Sequence, residues 1–183
     1  MRIGESSAVK GVIATERVQR LLQPDYPTEL ERRSLDELRA MHEECAQAEL
    51  ALSYYRRLAQ ARMEILEAEQ GRRARGGSVE DLVADLPRIL SAESGRSSIT
   101  NTRGAPAADP PSIELVWPDG REKLVVDNTL AKLPGLSLDE LASTLESLRQ
   151  FERELSDLRA QMHVVMDAID RVIADRRVAG TAG

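Results

Sequence analysis

"SLDELRAMHEECAQAELALSYYRRLAQARME", residues 34–64, is patterned on two faces at once. Leu38, Cys45, Leu52 and Ala59 recur at seven-residue intervals, and Leu66 continues the series. Met41, Ala48 and Tyr55 sit three residues after the first three of them. This is an a/d heptad seam, the pattern of one helix packed along another. Ser34 and Glu37 make a start signal in which each side chain caps the other's backbone N–H. No Gly or Pro interrupts residues 34–70, and GRRARGG at 71–77 ends the run. A helix of that length spans roughly 55 Å, too long for a small globule and suited to a coiled coil.

The second face is polar. Glu49, Ser53, Arg56, Gln60 and Glu64 are separated by 4, 3, 4 and 4 residues. Those steps keep all five within an arc of about 80° on a helix. They take heptad positions e, b, e, b and f, beside the seam and not in it. Seam packing asks nothing particular of b or f.

The same opening, SLDEL, returns at 137–141, an offset of 103 residues. With that shift, residues 34–67 and 137–170 align without a gap and are identical at 12 of 34 positions. Leucine matches are weak evidence, since any seam repeats leucine. The polar matches carry more: Glu49 meets Glu152, Ser53 meets Ser156 and Arg56 meets Arg159. Gln60 meets His163 and Glu64 meets Asp167, changed but related in polarity. The second seam runs through Leu141, Leu148, Leu155, Met162 and Ile169, with Thr144, Phe151, Leu158, Val165 and Val172 at its other position. Both copies therefore specify a core face and a polar face together.

The expected fold is mainly α: two long helices forming an antiparallel coiled-coil hairpin. Residues 1–33 read as a flexible N-terminal arm, 34–70 and 137–177 as the two helices, 71–136 as an insert and 178–183 as a tail. The insert is expected to be partly disordered, because 91–112 is small, polar and Pro-rich. Before it, Val79, Leu82, Val83, Leu86 and Leu90 space a short helix, strained at Pro87. After it, IELVWPDGREKLVVD at 113–127 reads as a small β-hairpin around Pro-Asp-Gly, with Trp117 as its anchor. Arg72, Arg73 and Arg75 read as solvated.

Composition narrows the function. The 183 residues carry a formal net charge of −6, so the chain as a whole is no polyanion-binding surface, although chosen arginines can still hold one small anionic ligand. Arginine dominates the cations, 22 against 3 lysines. Cys45 is the one cysteine, and His42 and His163 lie far apart, which argues against an internal disulfide or a zinc site. No apolar run reaches the roughly 18 residues of a membrane span, and residues 1–18 lack a cleavable leader pattern. A cytoplasmic bacterial protein is expected. No nucleophile–base pair, metal cluster or Gly-rich phosphate loop appears, so an enzyme is not expected.

The polar stripe suits a ligand bearing both phosphates and guanines. An arginine fork grips phosphate or reads guanine O6 and N7, whereas a carboxylate repels phosphate but accepts from guanine N1–H and N2–H₂. The spacing ExxxSxxRxxx(Q/H)xxx(D/E), present twice, resembles the RsiG family of actinobacterial anti-sigma factors. That family's pattern is ExxxSxxRxxxQxxxD on each helix of an antiparallel coiled coil. The resemblance covers about 34–70 and 137–175, with Glu64 standing for Asp in the first copy and His163 for Gln in the second. It implies two cyclic-di-GMP molecules bound as a dimer by Glu49, Ser53, Arg56, Gln60 and Glu64 together with Glu152, Ser156, Arg159, His163 and Asp167. It further implies no metal, no direct DNA binding and no membrane. The implied partner is a WhiG-type sporulation sigma factor, sequestered with the nucleotide as glue. Two other readings stay open: a structural or adaptor coiled coil without nucleotide, and a homodimeric coiled coil that binds nucleotide without a sigma factor.

Overall fold

The computed structural model describes residues 16–77, 115–126 and 133–181. Helix α1 spans Leu35–Ala74, the short helix α2 spans Lys123–Val126, and helix α3 spans Leu138–Thr181. Each long helix starts where its capping box sits. Ser34 N donates to Glu37 Oε2 at 2.7 Å, and Glu37 N donates to Ser34 Oγ at 3.2 Å. Ser137 and Glu140 repeat both bonds at the same distances. Two of the four orphan N–H groups at each helix start are thereby satisfied.

The helices overrun the expected ends at residues 70 and 177. Gly71 does not stop α1, because a helical glycine costs only about 1 kcal/mol and this one is followed by good helix formers. The stop comes at Gly76, whose φ of 69° is left-handed. Gly77 N donates to Arg72 O at 3.0 Å and Gly76 N to Arg73 O at 3.1 Å, a Schellman closure that needs glycine at the left-handed position.

The described residues divide into two compact units. One holds 16–54, 115–120 and 155–181; the other holds 55–77, 121–126 and 133–154. In the first, His42 pairs with Asp170 at 3.4 Å and Glu49 with Arg159 at 2.6 Å, so the α3 partner number falls as the α1 number rises. In the second, Arg56 meets Glu152 and Glu67 meets Arg149, the same descending order. Pairing is antiparallel in both. The seam is the core: Leu38, Cys45, Leu52, Ala59 and Leu66 are buried, as are Leu141, Leu148, Leu155, Met162 and Ile169. At the other seam position Ala48, Tyr55, Phe151 and Val165 are buried, while Met41, Thr144, Leu158 and Val172 are half-buried.

Cys45 lies in that seam, fully buried, and burial pushes its thiol up to about 11. The native chain is therefore expected to resist alkylation near neutral pH and to react once unfolded. Rapid labelling of the folded protein would contradict this placement of the seam.

Three expectations are corrected. Residues 16–33 are not a loose extension. Val18, Leu21 and Leu30 are buried, Arg17 Nε bonds Glu44 at 3.0 Å, and Tyr26 Oη donates to the other Glu44 oxygen at 3.2 Å. Arg20 joins them on Glu44, and Arg176 Nη2 donates to Glu31 O at 2.6 Å. Short apolar spacing hid this packing, since three buried side chains on a Pro-broken segment leave little periodicity. The β-hairpin does not form: no strand occurs among the described residues. The Pro-Asp-Gly turn is present, with Gly120 N donating to Trp117 O at 2.9 Å. The chain beyond it coils into α2 and buries Val125, because an isolated two-stranded ribbon has little to hold it. Finally, Arg72 and Arg73 are not solvated; their side chains are 13% and 19% exposed, locked on Glu69. The expected helix over 79–90 and the disordered run at 91–112 lie outside the described residues.

Candidate functional site

The ten stripe residues sit on α1 and α3, off the seam, and antiparallel pairing brings seven of them into two clusters. In the first unit Glu49 Oε1 accepts from Arg159 Nε at 2.6 Å and from Ser53 Oγ at 2.8 Å, and lies 3.3 Å from His163 Nε2. In the second unit Glu152 Oε1 accepts from Gln60 Nε2 at 3.0 Å and from Arg56 Nη1 at 3.5 Å. The offset of 103 carries Glu49 onto Glu152, and Arg56 and Gln60 onto Arg159 and His163. Each cluster therefore takes its acid from one copy of the motif, and its guanidinium and amide or imidazole from the other. A spacing pattern read along one helix does not reveal that exchange; it follows from the antiparallel register.

The clusters differ in how well their groups are satisfied. Burial works against the Glu49 carboxylate, but the bonds from Arg159, Ser53 and His163 outweigh it and hold the carboxyl below the usual range. Around Glu152 the arginine contact is long, and Arg56 Nε is buried without a hydrogen-bond partner. Glu64 Oε2 is likewise buried and unpartnered. A guanidinium N–H and a carboxylate oxygen left unsatisfied out of water are costly unless a ligand or solvent completes them. Ser156 is half-buried on α3 and Asp167 is exposed.

Each cluster sets a guanidinium beside a carboxylate, both partly exposed. Arg56 and Arg159 are 25% and 36% exposed, reachable from solvent and anchored at one end by a carboxylate. Glu49 and Glu152 provide acceptors beside them for base N–H groups. Among the described residues, no group of three His, Cys, Asp or Glu side chains is placed to hold a metal ion, and no helix is long and apolar enough to cross a membrane.

A second polar constellation escaped the sequence reading. Glu69 is 1% exposed, and its carboxylate takes Arg72 at 2.6 and 2.7 Å and Arg73 at 2.5 Å. Arg73 also donates to Leu133 O at 2.8 Å and to Leu136 O, so this clamp fastens the segment that leads into α3. The available signal was an acid on the seam itself: Glu69 continues the Met41, Ala48, Tyr55 series, with arginines three and four residues on.

Among known families, the model described as RsiG-like matches residues 24–90. The match takes in all of α1, and with it the first copy of the motif; the second copy lies beyond it. No curated protein matches the chain.

Proposed function

We propose that the chain, whose residues 24–90 match the RsiG-like family, is an anti-sigma factor acting by binding, without catalysis. Its ligand in this reading is cyclic-di-GMP, one molecule to each cluster, and its partner is a WhiG-type sigma factor held with the nucleotide as glue. The observation that carries the reading is the pair of equivalent clusters, Glu49 with Arg159 and His163, and Glu152 with Arg56 and Gln60. An ordinary solvated flank has no reason to duplicate the same five-residue spacing beside two seams.

The chemistry fits the ligand. Each arginine presents a fork to a phosphate or to guanine O6 and N7, and each acid accepts from the guanine Watson–Crick edge. The buried Arg56 Nε and Glu64 Oε2 await one acceptor and one donor, and a guanine nucleotide carries both. A ligand rich in guanines and phosphates leaves surface uncovered on a helix pair, so a second protein completes the enclosure.

One observation favours a plain adaptor coiled coil instead. The 2.6 Å Arg159–Glu49 pair is also what interhelical ion pairs flanking a seam look like. Size-exclusion chromatography of the chain with a WhiG-type sigma factor separates the two readings. Co-elution is expected only with cyclic-di-GMP present; equal co-elution with and without it would leave the adaptor reading standing.

A further inference from the structure

Between the two motif copies the polar residues differ at two places, Gln60 against His163 and Glu64 against Asp167, and the first changes the chemistry. Gln60 donates to Glu152 at 3.0 Å and cannot titrate. His163, its counterpart, lies 3.3 Å from Glu49 and puts an ionisable imidazole where the other copy has a neutral amide. We propose that His163 makes the cluster around Glu49 and Arg159 proton-responsive, so that it takes its nucleotide more tightly when the imidazole is protonated, while the cluster around Glu152, Arg56 and Gln60 does not respond. This rests on the reading of both clusters as cyclic-di-GMP half-sites.

The sign follows from the groups around the ring. Glu49 on α1 is in contact with it, and Arg159 and Asp167 stand one turn before and after it on α3. The nearby ion-pairing groups of the same unit are engaged elsewhere: His42 with Asp170, and Arg17 and Arg20 with Glu44. With His163 neutral, the Arg159 guanidinium is already paired with the Glu49 carboxylate, so an anionic ligand meets no net positive charge there. Protonation of His163 beside that pair adds one.

There is also a handover. Arg159 Nε, Ser53 Oγ and His163 Nε2 all converge on the same oxygen, Glu49 Oε1. An imidazolium there can carry the ion pair with Glu49 and release the Arg159 fork to a phosphate. Glu49 itself stays ionised through this range, because its bonds hold the carboxyl low despite burial.

The test is calorimetry of the full chain with cyclic-di-GMP at about pH 5.5, 6.5 and 8. In the unaltered protein one of two binding steps is expected to tighten roughly three- to tenfold from the highest pH to the lowest, and the other to stay level. His163→Gln should remove the response, and Gln60→His should add one to the second step. Level binding at all three values in the unaltered protein, tightening in the opposite direction, or an undiminished response in His163→Gln overturns the inference while leaving the nucleotide reading intact. Absence of binding by all three proteins at every pH, both alone and with a WhiG-type sigma factor present, overturns both. Helical circular dichroism establishes that each variant is folded, and the Gln60→His gain decides the matter if His163→Gln folds poorly.

Discussion

Glu69→Ala is expected to destabilise the protein by about 3 kcal/mol, and by as much as about 5 if the structure does not relax. The carboxylate is nearly inaccessible and is shared by two guanidinium groups at 2.5–2.7 Å. Removing it takes away the carboxylate that the two guanidinium groups share in a largely dry setting. The lower figure is favoured because Arg72 and Arg73 keep a small exposed fraction and can turn toward water. The loss also spreads, since Arg73 links α1 to the Leu133 and Leu136 carbonyls. Glu69→Gln should cost less than the alanine, because an amide oxygen still accepts one bond.

The same carboxylate gives the effect a pH signature. Hydrogen bonding from Arg72, aided by Arg73 and opposed by burial, holds the Glu69 carboxyl below the usual carboxylate range. A group depressed in the folded state contributes stability that is fully present above its unfolded pKa, about 4.3. That contribution is lost as the pH falls through the lower folded value. The gap between the unaltered protein and Glu69→Gln, measured by urea unfolding, should be widest near neutrality and should shrink in acid. An alanine variant within about 0.5 kcal/mol of the parent would mean that the clamp is dispensable.

Glu69 also marks where sequence reading stopped. Long heptad seams are legible because the physics is local and repeated: every seventh residue must be apolar, and Leu38 to Leu66 and Leu141 to Ile169 are all buried as that rule demands. Capping boxes are legible for the same reason, since Ser34–Glu37 and Ser137–Glu140 close over three residues. The composition of each polar cluster was not. That Glu49 is held by Arg159 and Glu152 by Arg56 depends on the antiparallel register, which joins residues about a hundred positions apart. A charged seam residue such as Glu69 breaks the apolar rule and gains meaning only when its partners curl back at a helix end. The same holds for Tyr26 and the arginines that meet on Glu44, where three long-range contacts replace periodicity.

Arg56→Ala and Arg159→Ala should each weaken nucleotide-dependent assembly with the sigma factor by roughly 1–3 kcal/mol, the worth of one bidentate contact. Folding should hardly change. Both side chains are off the seam and partly exposed, each loses an ion pair worth about 1 kcal/mol or less, and alanine favours the helix. The two losses should not be equal. Arg159 enters the unliganded state already bonded to Glu49 at 2.6 Å, so any ligand contact it makes is offset by weakening that pair. Arg56 is held at 3.5 Å and has an unsatisfied Nε, so a ligand acceptor adds to its bonding at little expense. Arg56→Ala is therefore expected to be the more damaging of the two near neutral pH. Loss of the nucleotide's effect in the double variant, with unchanged helical circular dichroism, would locate the ligand on these guanidinium groups. Ternary assembly at parental affinity in both single variants would instead return the stripe to an ordinary ion-paired flank.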